Sequence, residues 1–243
     1  NKFRVTVDGK TYERLVSPGF EDPTMVCGDK LAALYDGFDL FVFRVATKDF
    51  HVEKANRGYY GAQLRESGNL LALYDGASLI VFEGERFSTF AVNEEYFRSQ
   101  LVVSDQIVSL YDGQEVHFFE RGRGKRTLSA NPRYPYPEGV TYQNLSLLYD
   151  GDQVFVCDGH LGEVNRQTLA PRSIFFEAVL SKDRALIYDG EILISYCSGK
   201  GFSQALDVPL AFVVSGYDVK TDTLWMNVRG KRFELRSDCQ IAS

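Results

Sequence analysis

Five aspartates recur at nearly constant spacing: Asp36, Asp75, Asp112, Asp150 and Asp189, each between a tyrosine and a glycine. A ring of carboxylates has the chemistry of a cation site or of a cradle for a basic peptide. Their neighbours argue for a plainer role. Asp-Gly is what a two-residue type I′ hairpin turn selects, because both central positions need positive φ. We therefore read the five as structural turn residues, and the tyrosine before each as a ring packed on a pleated strand. In the sixth place of the series stands Arg229.

Other residues capable of chemistry are sparse. The three histidines, His51, His117 and His160, are not paired at metal-ligand spacing, and no metal or cofactor is expected. There is no Gly-x-Ser-x-Gly elbow and no Gly-rich loop leading into a helix. A glycosidase would need two carboxylates converging on one cavity. Glu21, Asp22 and Glu138 sit where such groups could stand, but nothing in their surroundings singles them out. Catalysis is not the expectation.

The elements that would position these residues follow from the repeat itself. The phrases LAALYDG, LLALYDG, IVSLYDG, LSLLYDG and RALIYDG end at Gly37, Gly76, Gly113, Gly151 and Gly190, with spacings of 39, 37, 38 and 39 residues. A degenerate LWMNVRG ends at Gly230. Such a period marks one supersecondary unit stacked repeatedly. Within the second unit, Tyr60 to Arg65, Leu70 to Tyr74, Ser78 to Phe82 and Phe87 to Val92 read as four short strands joined by polar turns, a β-meander. The third strand is apolar at consecutive positions, such as Leu79, Ile80, Val81 and Phe82, so both faces of each small sheet are covered.

Sheets covered on both faces and repeated along a chain are the blades of a β-propeller. The expected fold is all-β, six-bladed, with blades at 25–56, 62–92, 99–130, 139–169, 175–208, and 210–243 joined by 1–17; five or seven blades are the alternatives. The shared last blade rests on a gap-free match of the segment from Lys10 to that from Asp49, an outer fourth strand. Closure by the two termini would remove exposed edges. FRVTV, from Phe3, competes with KRFELRS for the third strand of that blade. The sequence contains no Trp-Asp dipeptide, Ser-x-Asp-x-Gly-x-Thr-Trp box or Tyr-Trp-Thr-Asp signature, and matches no named propeller family.

In such a meander the Tyr-Asp-Gly turns share an end with the loops between blades. Those loops carry Phe20, Arg57, Tyr59, Tyr60, Tyr96, Phe97, Arg133, Tyr134, Tyr136 and Arg172. Tyr and Arg are enriched at binding hot spots. The candidate binding residues are Arg57, Tyr59, Tyr60, Tyr96, Arg133, Tyr134, Tyr136 and Arg172; the competing reading packs the aromatics under the loops as core. The expected function is a non-catalytic recognition or scaffold module for a protein or peptide. A carbohydrate-binding propeller and a secreted propeller hydrolase acting on glycans are the alternatives.

With a net charge of −6, the chain lacks the basic footprint of a nucleic-acid binder. The run Arg121, Arg123, Lys125, Arg126 reads as a solvated turn, and no stretch is long and apolar enough for a membrane helix. No leader is visible, and because the sequence starts at Asn1 we read it as a processed form or excised segment. A disulfide closing the ring between Cys27 and Cys239 competes with four unpaired thiols, the other two being Cys157 and Cys197.

Overall fold

A computed structural model describes residues 1–18, 23–57, 59–93, 96–169 and 175–243. It contains only strands, turns and loops. An N-terminal hairpin, β1 (Lys2–Val7) and β2 (Lys10–Leu15), forms a two-stranded sheet of its own. Six four-stranded meanders follow. Sheet 1 holds β3 (Thr24–Cys27), β4 (Leu31–Tyr35), β5 (Asp39–Arg44) and β6 (Asp49–Lys54). Sheet 2 holds β7 (Gln63–Ser67), β8 (Leu70–Tyr74), β9 (Ser78–Glu83) and β10 (Arg86–Ala91). Sheet 3 holds β11 (Gln100–Val103), β12 (Ile107–Tyr111), β13 (Glu115–Glu120) and β14 (Gly124–Ser129). Sheet 4 holds β15 (Glu138–Tyr142), β16 (Leu145–Tyr149), β17 (Gln153–Asp158) and β18 (Glu163–Thr168). Sheet 5 holds β19 (Glu177–Leu180), β20 (Arg184–Tyr188), β21 (Ile192–Cys197) and β22 (Gly201–Asp207). Sheet 6 holds β23 (Val213–Asp218), β24 (Thr223–Val228), β25 (Lys231–Leu235) and β26 (Ile241–Ala242). The fold is a β-propeller of antiparallel four-stranded blades.

Each junction has its own apolar core, built from alternate residues of the second strand. Leu71 and Leu73 of β8 point at sheet 1, while Leu70, Ala72 and Tyr74 point at sheet 3, and all five are fully buried. Clusters join the hairpin to sheet 1, then sheets 1 to 2, 2 to 3, 3 to 4, 4 to 5 and 5 to 6. Among the described residues no cluster joins sheet 6 to the hairpin.

The shared closing blade is therefore corrected. The N-terminal segment matches an outer strand in type, but Asp8 (φ 51°) and Gly9 (φ 73°) fold it back on β1 as a local hairpin whose ladder runs from Lys2↔Leu15 to Val7↔Lys10. The fourth strand of sheet 6 is instead the two-residue β26, too short to read from sequence. FRVTV and KRFEL do not compete: the first lies in β1 and the second is β25.

The turn assignment changes too. In the five Tyr-Asp-Gly turns only the glycine has positive φ, from 87° to 97°, and Asp pairs with the residue three further on, as in Asp36 N–H to Asp39 O (3.2 Å). Glycine is thus the first central residue, the type II′ pattern. Sheet 6 differs. Arg229 (φ 51°) and Gly230 (φ 78°) both lie in the left-handed region, and the last ladder pair is Val228↔Lys231. The loop starts one residue earlier, and a one-residue slip exchanges the faces of a strand. Leu224, Met226 and Val228 consequently point back at sheet 5.

The disulfide is Cys197–Cys239, with Cα atoms 6.3 Å apart, tying the end of β21 to the turn before β26. Cys27 is exposed and free, not bridged to Cys239. Cys157 is a buried thiol, pushed up to about 12 by burial first and the nearby Glu120 charge second.

Candidate functional site

The Tyr-Asp-Gly turns and the loops between sheets form one rim, and Asp36, Asp75, Asp112 and Asp150 each work on both. Asp75 Oδ1 accepts the amides of Ala77 (3.1 Å) and Ser78 (2.7 Å), which caps the turn. Its Oδ2 accepts the amide of Asn56 (2.8 Å) in the loop arriving from sheet 1. Asp36 takes Ser17 N–H (2.7 Å), Asp112 takes Asn93 N–H (2.9 Å) and Asp150 takes Asn131 N–H (2.7 Å) in the same way. Asp189 takes the amides of Glu191 and Ile192. These carboxylates are at most 3% exposed, so they are not a ring open to cations.

The tyrosines hold the loop on the other side. Tyr35 Oη donates to Asn56 O (2.6 Å) and Tyr111 Oη to Asn131 O (2.6 Å), while Tyr111 also accepts Tyr134 N–H (2.8 Å). Adjacent blades therefore grip a single asparagine between them. Burial, first among the causes, raises these phenols, Tyr35 to about 12. The asparagines were missed in the sequence reading; their signal is a repeated Asn 19 residues before the turn aspartate.

The loop aromatics divide into two sets. Tyr59, Tyr96 and Tyr134 lie flat on the turn glycines. A Cβ on Gly76, Gly113 or Gly151 would come within 2.6, 2.6 or 2.3 Å of their rings, so only glycine admits them. Each also meets the turn tyrosine edge-on, at centroid distances of 5.7 to 5.8 Å. These three are core. Beside them stand Tyr60 (66% exposed), Phe97 (73%), Tyr136 (58%), Phe175 (49%) and Phe212 (88%), one in each loop between sheets among the described residues.

Arg57 is exposed, with its guanidinium 5.6 Å from the Phe38 ring. Arg133 is exposed and has φ 51°, held by its backbone N–H donating to Gly113 O (2.6 Å). Arg172, like Phe20, Glu21 and Asp22, lies outside the described residues. Sequence reasoning passed over Arg98, which is central to the arrangement. It lies 5.2 Å from the Phe97 ring and 5.4 Å from the Tyr136 ring, and donates to Pro135 O (3.0 Å). Two exposed rings flanking one guanidinium form a rigid patch with apolar faces and spare donors. A cavity of about 400 Å³ opens beside it, lined by Ser99, Gln100, Tyr136 and Glu138 among others. Burial, and secondarily the charge of Glu177, raises the Glu138 carboxyl.

His117 is buried, its Nε2 2.6 Å from Asp112 Oδ2 and 3.8 Å from Glu115 Oε2. That is a metal-like trio. Asp112 Oδ2 already accepts the amide and the Nδ2 of Asn93, so the histidine reads as a third donor to an occupied clasp. On the opposite rim a cavity of about 1020 Å³ spans sheets 1 to 3. Two of its arginines are paired within it, Arg44 to Glu85 (3.3 Å) and Arg121 to Glu83 (3.1 Å). In the basic run beyond, Arg123 and Arg126 share the buried Glu120.

No protein-family model matches the chain, and no curated protein matches it in sequence. Among solved structures it is similar to apo AztD from Citrobacter koseri, at 13% identity and TM-score 0.48, over 90% of this chain and 70% of that one. Kluyveromyces lactis Hsv2 aligns at 8% identity and TM-score 0.45, over 85% and 71%. PorZ of Porphyromonas gingivalis, an essential bacterial surface component of the type-IX secretion system, aligns at 12% identity and TM-score 0.40, over 87% and 33%. No residue correspondence follows from likeness at this level.

Proposed function

We propose that the protein is a non-catalytic recognition or scaffold module that holds a protein or peptide on the rim of Tyr-Asp-Gly turns. The supporting observation is the display of one exposed aromatic per loop on a rim whose backbone is clasped from both sides. Rings presented by ordered loops bind at low entropy cost. The patch of Phe97, Arg98 and Tyr136 has the composition of an interface hot spot. The test is direct. A partner recovered by crosslinking is titrated against the native chain and against Phe97→Ser/Tyr136→Ser. At least a tenfold loss of affinity, with an unchanged melting temperature, is expected; equal affinities would place the binding face elsewhere.

A carbohydrate ligand is the second reading. The small cavity beside Tyr136 favours it, because a ring wall next to Gln100 and Glu138 suits a sugar. A glycan array reports on this: binding lost in Tyr136→Ala supports it, and an array with no hits removes it.

A further inference from the structure

One buried histidine has no packing reason for its place. At the third position of the third strand, sheets 1, 2, 4 and 5 carry Phe41, Ile80, Phe155 and Ile194, all buried. Sheet 3 carries His117 there, equally buried. A polar ring in an apolar place is costly unless its polar atoms are bonded. Both nitrogens are bonded: Nε2 lies 2.6 Å from Asp112 Oδ2 and Nδ1 lies 3.1 Å from Thr127 Oγ1. The clasp of the turn aspartate does not require this histidine. Asp36, Asp75 and Asp150 take their loop amides with Phe41, Ile80 and Phe155 in that place.

The direction of the two bonds follows from charge. The Asp112 carboxyl is held at about 2 and is therefore ionised. An ionised carboxylate only accepts, so Nε2 carries a proton and donates it. In the neutral imidazole Nδ1 is then an acceptor, and the Thr127 hydroxyl donates to it. Thr127 stands opposite His117 in the ladder of β13 and β14 and is exposed. A hydroxyl at the surface, a base on its proton and a buried carboxylate fixing that base form the arrangement of an activated nucleophile. Lys125 lies two residues earlier, on the same face of β14. Its Nζ is 5.4 Å from the ring of Phe90 in sheet 2, which puts a cation and an apolar ring in the same seam between sheets 2 and 3.

We infer that Thr127 is a covalent acceptor site for acyl groups delivered by activated esters. Thr127 Oγ1 attacks the carbonyl carbon of the ester, and its proton passes to His117 Nδ1. The bond from that carbon to the leaving oxygen breaks, and the leaving alcohol departs with the proton from Nδ1. His117 returns to its neutral form, with Nε2 still donating to Asp112, and Thr127 carries the acyl group as an ester. Nothing is oxidised or reduced. Lys125 supplies positive charge on the face where the carbonyl oxygen becomes negative. Phosphoryl transfer would need a clamp of cations, and Arg121, also on this seam, is committed to Glu83 (3.1 Å). A site loaded once in this way goes beyond recognition at the rim and does not depend on which partner the rim holds.

The control is built into the molecule. Thr89 is exposed at the matching place of sheet 2, opposite Ile80 instead of a histidine. The native chain is treated with p-nitrophenyl acetate, and acetylated hydroxyls are located by peptide mapping with mass spectrometry. Thr127 should be acetylated at least about tenfold faster than Thr89, a low bound for what a positioned base supplies. His117→Ile gives sheet 3 the residue of sheet 2. It should keep the fold and bring Thr127 down to the rate of Thr89. Equal rates at Thr127 and Thr89 in the native chain would overturn the proposal, as would an undiminished rate at Thr127 in folded His117→Ile. Where His117→Ile does not fold, the comparison within the native chain decides alone.

Discussion

Sheets 2 and 6 show their following faces from the same strands, yet the faces have opposite characters. In sheet 2 that face is Ala72, Tyr74, Leu79 and Val81, sealed without exposure against sheet 3. In sheet 6 it is Trp225 and Asn227 on β24, paired with Glu234 and Arg232 on β25. The Arg232 guanidinium lies 4.9 Å from the Trp225 ring, and Glu234 accepts from Arg232 (2.9 Å) and Arg236 (3.2 Å). One face is made to be buried and the other to be wet. The difference originates in a turn: the left-handed pair Arg229 and Gly230 starts the loop one residue early and turns the apolar residues of β24 inward.

The strongest way to break this comparison is to put one charge into both settings. Leu64 is sealed between sheets 1 and 2, and Leu64→Asp should cost at least about 4 kcal/mol, since a lone carboxylate there has no partner. Met25 holds the same ladder position in sheet 1 but is 64% exposed, and Met25→Asp should stay within about 0.5 kcal/mol of the native chain. Denaturant midpoints decide. Comparable losses at both sites would mean that Met25 is as sealed as Leu64.

The clasp sharpens the contrast at a smaller scale. Asp150 is buried and accepts the amides of Asn131, Asp152 and Gln153. Asp150→Ala strands those donors and should cost about 2–4 kcal/mol. Arg229 stands in the corresponding place of sheet 6 but is exposed, donating to Leu210 O (2.9 Å). Arg229→Ala should cost about 0.5 kcal/mol or less. Melting of the two variants side by side measures how much of each junction depends on its turn.

Much of this was legible from the sequence, for reasons that can be stated. The second strand is hydrophobic on both faces and ends in Asp-Gly, so strand number, strand order and shared rim follow from periodicity. The turn type was misread because Asp tolerates positive φ, whereas here its carboxylate, not its backbone, does the work. The fate of the termini was misread because β2 does resemble an outer strand, and nothing local reports that its partner is β1. At the candidate site, Tyr59 and Tyr60 are chemically alike neighbours. Which one lies on Gly76 and which faces solvent depends on loop direction, a tertiary property.

Acid and salt separate the two kinds of carboxylate most finely. Burial alone would raise Asp112, but hydrogen bonds from His117 and from the amides of Asn93 and Glu115 outweigh it and hold the carboxyl at about 2. A depressed carboxylate stabilises the fold above its ordinary value near 4, and the contribution is lost as pH falls through the folded value. The sheet 3 clasp should therefore persist at pH 3 and fail towards pH 2. Glu234 is also lowered, chiefly by Arg236 and Arg232, but it is only partly covered, on the wet face beside exposed arginines. Screening acts on exposed pairs far more than on buried ones. Carboxyl carbon shifts followed by NMR through an acid titration, in dilute buffer and in roughly 1 M salt, should show Glu234 moving back towards its ordinary range while Asp112 stays. If both move together, the clasp is as accessible to solvent as the end face, and the distinction between sealed junction and wet face fails at its best-defended point.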